Sequence, residues 1–267
     1  MEKILLFIPC YNCEKQIKRV ILQLAGEIMQ YVSEVVFINN RSTDNTESVI
    51  QSMLQETPLP IPAKILRNNE NYGLGGSHKV AFRYAKENGF GYVIVLHGDD
   101  QGRISDLLPY MRDGVYKKYD CVLGARFMKG SSLQGYSRFR TIGNIVYDLL
   151  FSIGIGKMVY DLGSGLNLYS VNMLQDDFYD KYKDNLMFNY CMILGSAYKH
   201  LKMKFVPISW REDDQVSNVK MISQAFTVLG LLISYMVNRK RFIQSDHRDH
   251  MVEQYAATIV FIQKERS

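Results

Sequence analysis

The sequence predicts an α/β fold, a mostly parallel sheet flanked by helices. Short apolar runs alternate with segments of helical period in units of about 30 residues, the spacing of strand–helix–strand repeats. Polar clusters close the first, second and fourth of these runs, at the edge where open α/β sheets bind ligands. The chain has 267 residues, 47% hydrophobic and 22% charged. That length can bury a core without staples, and that balance excludes disorder and collagen-like repeats.

The elements follow in order. Residues 4–8 are continuously apolar and read as a buried strand. Ile17, Val20, Ile21, Leu24 and Ile28 recur at helical spacing. Residues 35–38 form the next strand, and a helix begins at Asp44, with Glu47 placed as a capping-box partner. Pro58, Pro60 and Pro62 interrupt the chain before a third strand at 64–66. A glycine-rich turn over 71–77 opens a helix that stops near Gly89. Residues 92–96 are the fourth strand and 121–123 the fifth. Beyond them the pattern is less regular: helix over 138–153, loop and strand over 163–169, helix over 188–200, strand over 204–208 and a last helix over 219–241.

The 32 Lys and Arg against 27 Asp and Glu leave a charge of +5, which suits a phosphate-bearing ligand, a nucleic acid or an anionic membrane. The basic residues do not form one stripe with interleaved aromatics, so nucleic acid ranks last. Four cysteines are too few for a disulfide scaffold. Residues 1–9 lack a charged leader and a cleavage site, so the cytoplasm is the expected location. The longest apolar stretch, 225–237, is shorter than the ~20 residues that cross a bilayer.

Four local patterns carry chemistry. Gly73, Gly75 and Gly76 precede a helix and could cradle phosphate, but His78 stands where a third dinucleotide-fingerprint glycine belongs, and a structural turn is the favoured reading. Cys10 and Cys13 have the spacing of a redox pair, with a plain tight turn favoured over it. His97-Gly98-Asp99-Asp100-Gln101 ends a buried strand with oxygen donors that suit Mg²⁺ or Mn²⁺, or forms a charged turn. Arg126, Arg138, Arg140, Arg211 and Lys220 are solvated charges or, beside a metal, a clamp for a diphosphate.

Seven segments in order resemble the motifs of family 2 glycosyltransferases. Residues 8–13 resemble the opening P-x-Y-N-E, and 37–46 resemble V-D-D-G-S-T-D-G-T. Residues 71–76 are similar to N-x-G-x-G-x, and 97–101 stand where D-A-D-x-Q belongs. Residues 124–127 are similar to G-S-R-[YF], 161–166 to D-x-x-S-G-F, and 211–220 to R-x-x-G-x-S-K. Within the family the chain is most similar to polyprenyl-phosphate sugar synthases of the dolichyl-phosphate-mannose type.

The resemblance implies a GT-A fold over residues 1–220, with a donor half (1–127), an acceptor half (128–220) and a C-terminal helical extension (221–267). It implies transfer of a hexose from a UDP- or GDP-sugar, with inversion, to a glycan, glycoprotein or polyprenyl-phosphate acceptor. A catalytically weak scaffold subunit is the rival of another class. Pro9, Tyr11, Asn39, Asn71 and Gly73 would border the donor. Asp99, Gln101 and His97 would hold Mn²⁺ or Mg²⁺. Arg126 and Arg140 would bind the acceptor phosphate, and Arg211 and Lys220 would close over the diphosphate. Cys13 stands for the usual Glu, Asn39 and Asn40 for two Asp, and His97 for the first metal-site Asp. This last exchange predicts weaker Mg²⁺ binding and a preference for Mn²⁺. No Glu-Asp pair stands at 188–189, so a hydroxyl acceptor would need Asp161 or Asp213 as base, whereas an ionised phosphate would need little help. The apolar helix ending in Asn238-Arg239-Lys240-Arg241 suits a membrane surface at the inner face, a subunit interface or core packing. The apolar run 256–262 adds weight to a homo-oligomer.

Overall fold

The computed structural model describes residues 2–212 and 221–263; Asp213 and Lys220 lie outside the described residues. The first half alternates β1 (Ile4–Cys10), α1 (Ile17–Gln23), β2 (Glu34–Asn39), α2 (Thr46–Glu56), β3 (Ala63–Asn68), α3 (Gly73–Glu87) and β4 (Tyr92–Leu96). There follow α4 (Leu108–Arg112), β5 (Cys121–Ala125), β6 (Ser132–Gln134), α5 (Arg138–Ile155), β7 (Leu166–Ser170), α6 (Phe188–Tyr198), β8 (Met203–Pro207) and β9 (Ser209–Arg211). The chain then runs through α7 (Met221–Val237), α8 (Arg239–Gln244) and β10 (Ala257–Ile262).

Eight strands form one sheet in the order β10-β3-β2-β1-β4-β7-β5-β8, and β6 pairs with β9. Strands β3, β2, β1 and β4 are parallel, β7 runs antiparallel between β4 and β5, and β10 is antiparallel on β3. Successive side chains of a strand point to opposite faces. Leu5, Phe7, Val93 and Val95 accordingly pack under α3, α5, α6 and α7, while Ile4, Leu6, Ile8 and Ile94 pack under α1, α2 and α4. Burial on both faces is why these strands read as unbroken apolar runs.

The structure differs from the sequence expectation at four places. Glu47 does not close a capping box; its carboxylate turns to Asn39 and Arg67. The last helix breaks at Asn238, which leaves helical geometry and caps α8 by accepting from the Arg241 amide at 2.9 Å. The apolar run 256–262, weighed as an oligomer contact, supplies β10, so the C-terminal segment adds a sheet strand as well as helices. The short strands β6 and β9 were not expected at all. Among the described residues no helix is long and apolar enough to cross a membrane.

Candidate active site

The parallel register brings the ends of β1, β2 and β3 level: Cys10 lies opposite Asn39, and Asn39 opposite Arg67. Tyr11 follows β1 and is 52% exposed, whereas Pro9 is buried, its carbonyl accepting from the Gly98 amide at 3.0 Å. Asn39 donates to Glu47 Oε2 at 2.6 Å and accepts from the Ser42 amide at 2.9 Å. The Arg67 guanidinium, and then the Asn39 amide, hold the Glu47 carboxyl below its ordinary range. An Asp at 39 would instead set two carboxylates against each other. Asn40 donates to Asn71 Oδ1 at 2.8 Å and accepts from Asn68 and from the Tyr72 amide, both at 2.9 Å. A carboxylate accepts only, so it could not make the bond to Asn71. A cleft of about 590 Å³ opens beside this network, lined by Asn39, Arg41, Asp44, Glu47 and Arg67 among others.

The glycine-rich turn has a packing role. A Cβ on Gly73, which has φ +71°, would meet the Asp184 carbonyl at 2.4 Å, and one on Gly75 would meet the Lys183 carbonyl at 2.4 Å. The Gly75 amide donates to Asp184 O at 2.7 Å, so this helix start is already engaged. Cys10 and Cys13 are buried free thiols, and burial raises the Cys10 pKa well above its ordinary value. A thiol held protonated is a poor redox nucleophile.

The loop after β4 divides its residues between different tasks. The His97 ring packs on Gly165, whose Cβ would meet it at 2.7 Å, and lies edge-on to His78 at 6.3 Å. Among the described residues its buried Nε2 has no partner, and burial keeps the ring neutral, with a pKa of about 4. Asp100 has φ +61°, and its carboxylate takes Arg19, Arg211 and, at 2.9 Å, Gln23. Arg211 also donates to Asp100 O at 2.9 Å, and its amide donates to Gln101 O at 3.0 Å. Asp99 is half-buried, and desolvation pushes it up to about 6. Asp99 Oδ1 accepts from the Gln101 amide at 3.3 Å, and among the described residues no three His, Cys, Asp or Glu side chains gather as a metal site. The His97 ring is packed against Gly165 and His78.

In the loop between α5 and β7, Asp161 is fully buried. Its Oδ2 accepts from Arg126 N at 2.8 Å and Arg126 Nε at 2.7 Å. Its Oδ1 accepts from an Arg126 Nη at 2.8 Å and from Gly163 N at 2.9 Å. Both oxygens are thus engaged. Arg126 lies 5.0 Å from the Trp210 ring, 4.9 Å from Phe127 and 5.8 Å from Tyr136. Arg140 packs 4.7 Å over the same Tyr136 ring and bonds Glu212 at 2.6 Å. Tyr136 thereby gathers the two arginines around one aromatic ring. Burial and the neighbouring Asp161 charge push Asp148 up to about 8, and among the described residues its Oδ2 has no partner.

The structure brings Asp99, Gln101 and Arg211 together, and separately Arg126, Asp161 and Arg140; Asn39 and Asn71 shape the loops after β2 and β3 through internal hydrogen bonds. The sequence reading missed Tyr136, Trp210, Asp100 and Asp148. Asp100 was visible as the second acid of the Asp-Asp pair, but nothing local marked it as the partner of Arg211, 111 residues away. Tyr136 and Trp210 carried no signal beyond lying close to Arg140 and Arg211.

A mixed sheet with two polar clusters along one edge is the build of a nucleotide-sugar glycosyltransferase. The family model described as glycosyl transferase family 2 matches residues 6–178, and the chain belongs to that family. It is 23% identical over 181 residues to the UDP-N-acetylglucosamine–dolichyl-phosphate N-acetylglucosaminyltransferase of Methanococcus voltae, covering 64% of this chain and 71% of that protein. It is 22% identical over 173 residues to the undecaprenyl-phosphate mannosyltransferase of Micrococcus luteus, covering 65% of this chain and 68% of that one. Among solved structures, it is similar to the glucosyl-3-phosphoglycerate synthase of Mycobacterium tuberculosis with Mn²⁺, UDP-glucose and phosphoglyceric acid. The TM-score is 0.63 at 13% identity, over 88% of this chain and 80% of that one. That likeness matches the GT-A fold expected from the motifs.

Proposed function

We propose that the protein transfers a hexose from a nucleotide sugar to a polyprenyl phosphate. The observation that carries this reading is the pairing of Arg126 and Arg140 around Tyr136, beside carboxylates that are already engaged. Among the described residues Asp161 is bound by Arg126 and Glu212 by Arg140, so neither is open to take a proton from a hydroxyl; Asp213, the other base candidate, lies outside the described residues. A phosphate acceptor is ionised at neutral pH and needs no such base. The guanidinium N–H groups of Arg126 that Asp161 does not use are donors of the right kind for it. The named functions of the Methanococcus and Micrococcus relatives support the same acceptor class.

In this reading residues 1–127 bind the donor and 128–220 the acceptor, and within the extension α7 and β10 brace both: α7 packs on α5, and β10 extends the sheet at β3. The base lies by Tyr11 and the loops that Asn39, Asn40 and Asn71 organise. Mn²⁺ or Mg²⁺ held by Asp99 and Gln101 would supply positive charge to the leaving diphosphate. Arg211, presented from β9 next to Gln101, adds its guanidinium to the same group. An acceptor phosphate oxygen attacks the anomeric carbon from the face opposite the nucleotide. The new carbon–oxygen bond forms as the bond to the diphosphate breaks, and the configuration inverts. Arg126, fixed by Asp161, positions the attacking phosphate.

A donor screen by nucleotide release, with Mn²⁺ and Mg²⁺ and with and without a polyprenyl phosphate, tests the reading. Release that depends on the lipid phosphate is expected. Release that depends on a sugar hydroxyl instead would favour a glycan acceptor, and intact nucleotide-sugar binding without release would favour a scaffold.

A further inference from the structure

We infer that Tyr255, in the C-terminal segment, is a positioning residue for the glycine-rich turn over 71–76, and through that turn for the nucleotide donor. The link to the donor rests on the proposed function; the contacts do not. Tyr255 and its partner Asp184 both lie outside residues 6–178, the stretch that matches the family model.

The segment grips the turn from both sides. The Tyr255 ring lies edge-on to Tyr72, with centroids 5.3 Å apart, and both side chains are buried. Gly76 leaves the room for this: a Cβ there would meet the Tyr72 Cβ at 2.3 Å and the Tyr255 ring at 3.2 Å. Arg83 of α3 donates to Tyr255 O at 2.9 Å, and the Asn69 amide donates to Ala256 O at 3.1 Å. The chain before the turn and the helix after it are therefore tied to the same two residues.

A buried polar triad adds a third tie. The Lys79 side chain, in the second turn of α3, is fully buried. It donates to Tyr182 O at 2.7 Å, to Asp184 Oδ1 at 2.7 Å and to the Tyr255 hydroxyl at 3.1 Å. An ammonium has three donors, so all are used. The Tyr255 hydroxyl in turn donates to Asp184 Oδ1 at 2.8 Å, and the Asp184 carbonyl accepts from the Gly75 amide at 2.7 Å. Tyr255 thus fixes Asp184 by its carboxylate, and Asp184 fixes the turn by its main chain. Without the hydroxyl, one N–H of a buried cation loses its acceptor, and the triad must rearrange to satisfy it. The rearrangement reaches the site because the same turn carries the Tyr72 amide bond to Asn40 at 2.9 Å and the Gly73 amide bond to Asn71 at 3.1 Å.

Amide hydrogen exchange and nucleotide binding, both on the full chain, test this. Tyr255→Phe removes only the hydroxyl, and Gln263→Ala is the control. Gln263 belongs to the same C-terminal segment and is buried, bonded to the Leu59 amide at 2.8 Å and the Leu59 carbonyl at 3.0 Å. It follows the end of β10 that pairs with the start of β3, away from the turn. Tyr255→Phe should speed exchange over residues 69–76 by about fivefold or more. It should weaken, by a similar factor, the binding of whichever of UDP and GDP, each offered with Mn²⁺, the parent takes. Gln263→Ala should lower Tm and leave both readouts at the parent values. Parent-like exchange over 69–76 in Tyr255→Phe would overturn the inference. So would faster exchange with undiminished binding, or an equal response in Gln263→Ala, which would make Tyr255 a general stabilising contact. A parent that binds neither nucleotide would overturn the donor reading instead, and exchange alone would then decide whether Tyr255 positions the turn.

Discussion

Replacing Asp161 by Asn separates a positioning role from a base role. The carboxylate accepts two hydrogen bonds on each oxygen, three of the four from Arg126. Whichever oxygen becomes the amide nitrogen then faces two donors, and the arginine loses its counter-charge in a buried setting. Breaking one partner of a buried ion pair costs about 3–5 kcal/mol. At roughly 2–4 °C per kcal/mol for a domain approaching this size, Tm should fall by about 6–20 °C. With Arg126 released, acceptor KM should rise more than kcat falls, and the shape of the pH–rate profile should not change. Removing both charges, with Arg126→Met and Asp161→Leu together, should recover much of the Tm without restoring transfer, because a well-packed apolar pair can match a buried ion pair in stability. Thermal melts beside kinetics on the lipid phosphate read all of this. An Asp161→Asn protein with the parent Tm, an unchanged acceptor KM and a lost acidic limb in the pH profile would refute the reasoning and make Asp161 a base.

Three further outcomes follow from the same geometry. Asn39→Asp restores the residue usual in the family but sets a carboxylate against Glu47, so it should destabilise by about 1–3 kcal/mol at neutral pH, and the loss should shrink in acid; an unchanged melt would contradict the Glu47 contact. Asp99→Asn should raise the Mn²⁺ concentration needed for half-maximal nucleotide release by at least about tenfold, since one of two protein donors loses its charge; equal Mn²⁺ dependence would remove Asp99 from the cation site. Asp148, held up to about 8, keeps a proton that the unfolded chain releases near pH 4, so its contribution lowers stability as pH rises from about 4 to about 8. Asp148→Asn removes that term, and its Tm advantage over the parent should grow across this range, at most by about 1.4 kcal/mol per pH unit; an advantage independent of pH would show that Asp148 is ionised.

Much of the fold was legible because its strands are buried on both faces. Residues 4–8, 35–38 and 92–96 announce themselves as apolar runs, and each lies within a strand of the central sheet. The failures occur where long-range partners decide. Residues 257–262 have the same apolar look, but their place on β3 depends on a partner about 190 residues away in sequence, and helix α7 stops at Asn238 because that side chain caps the next helix. The site shows the same division. Ordered motifs located the loops, while roles followed from contacts between them. Asn39 and Asn40 looked like lost charges until Glu47 and Asn71 gave each amide an acceptor. Asp161 looked like a base until Arg126, 35 residues earlier, engaged both its oxygens. His97 looked like a metal donor by position alone, and only the bare glycine opposite, Gly165, explains why its ring can turn inward.

The claim that this family 2 glycosyltransferase uses a phosphate acceptor without a general base is tested most directly by offering two acceptors of equal chain length. One is a polyprenyl phosphate and the other is the corresponding polyprenol. Sugar transfer measured with the same nucleotide sugar and Mn²⁺ should occur on the phosphate and be absent on the alcohol. Transfer to the alcohol at a comparable rate, or to a sugar hydroxyl while the lipid phosphate stays unmodified, would contradict the account.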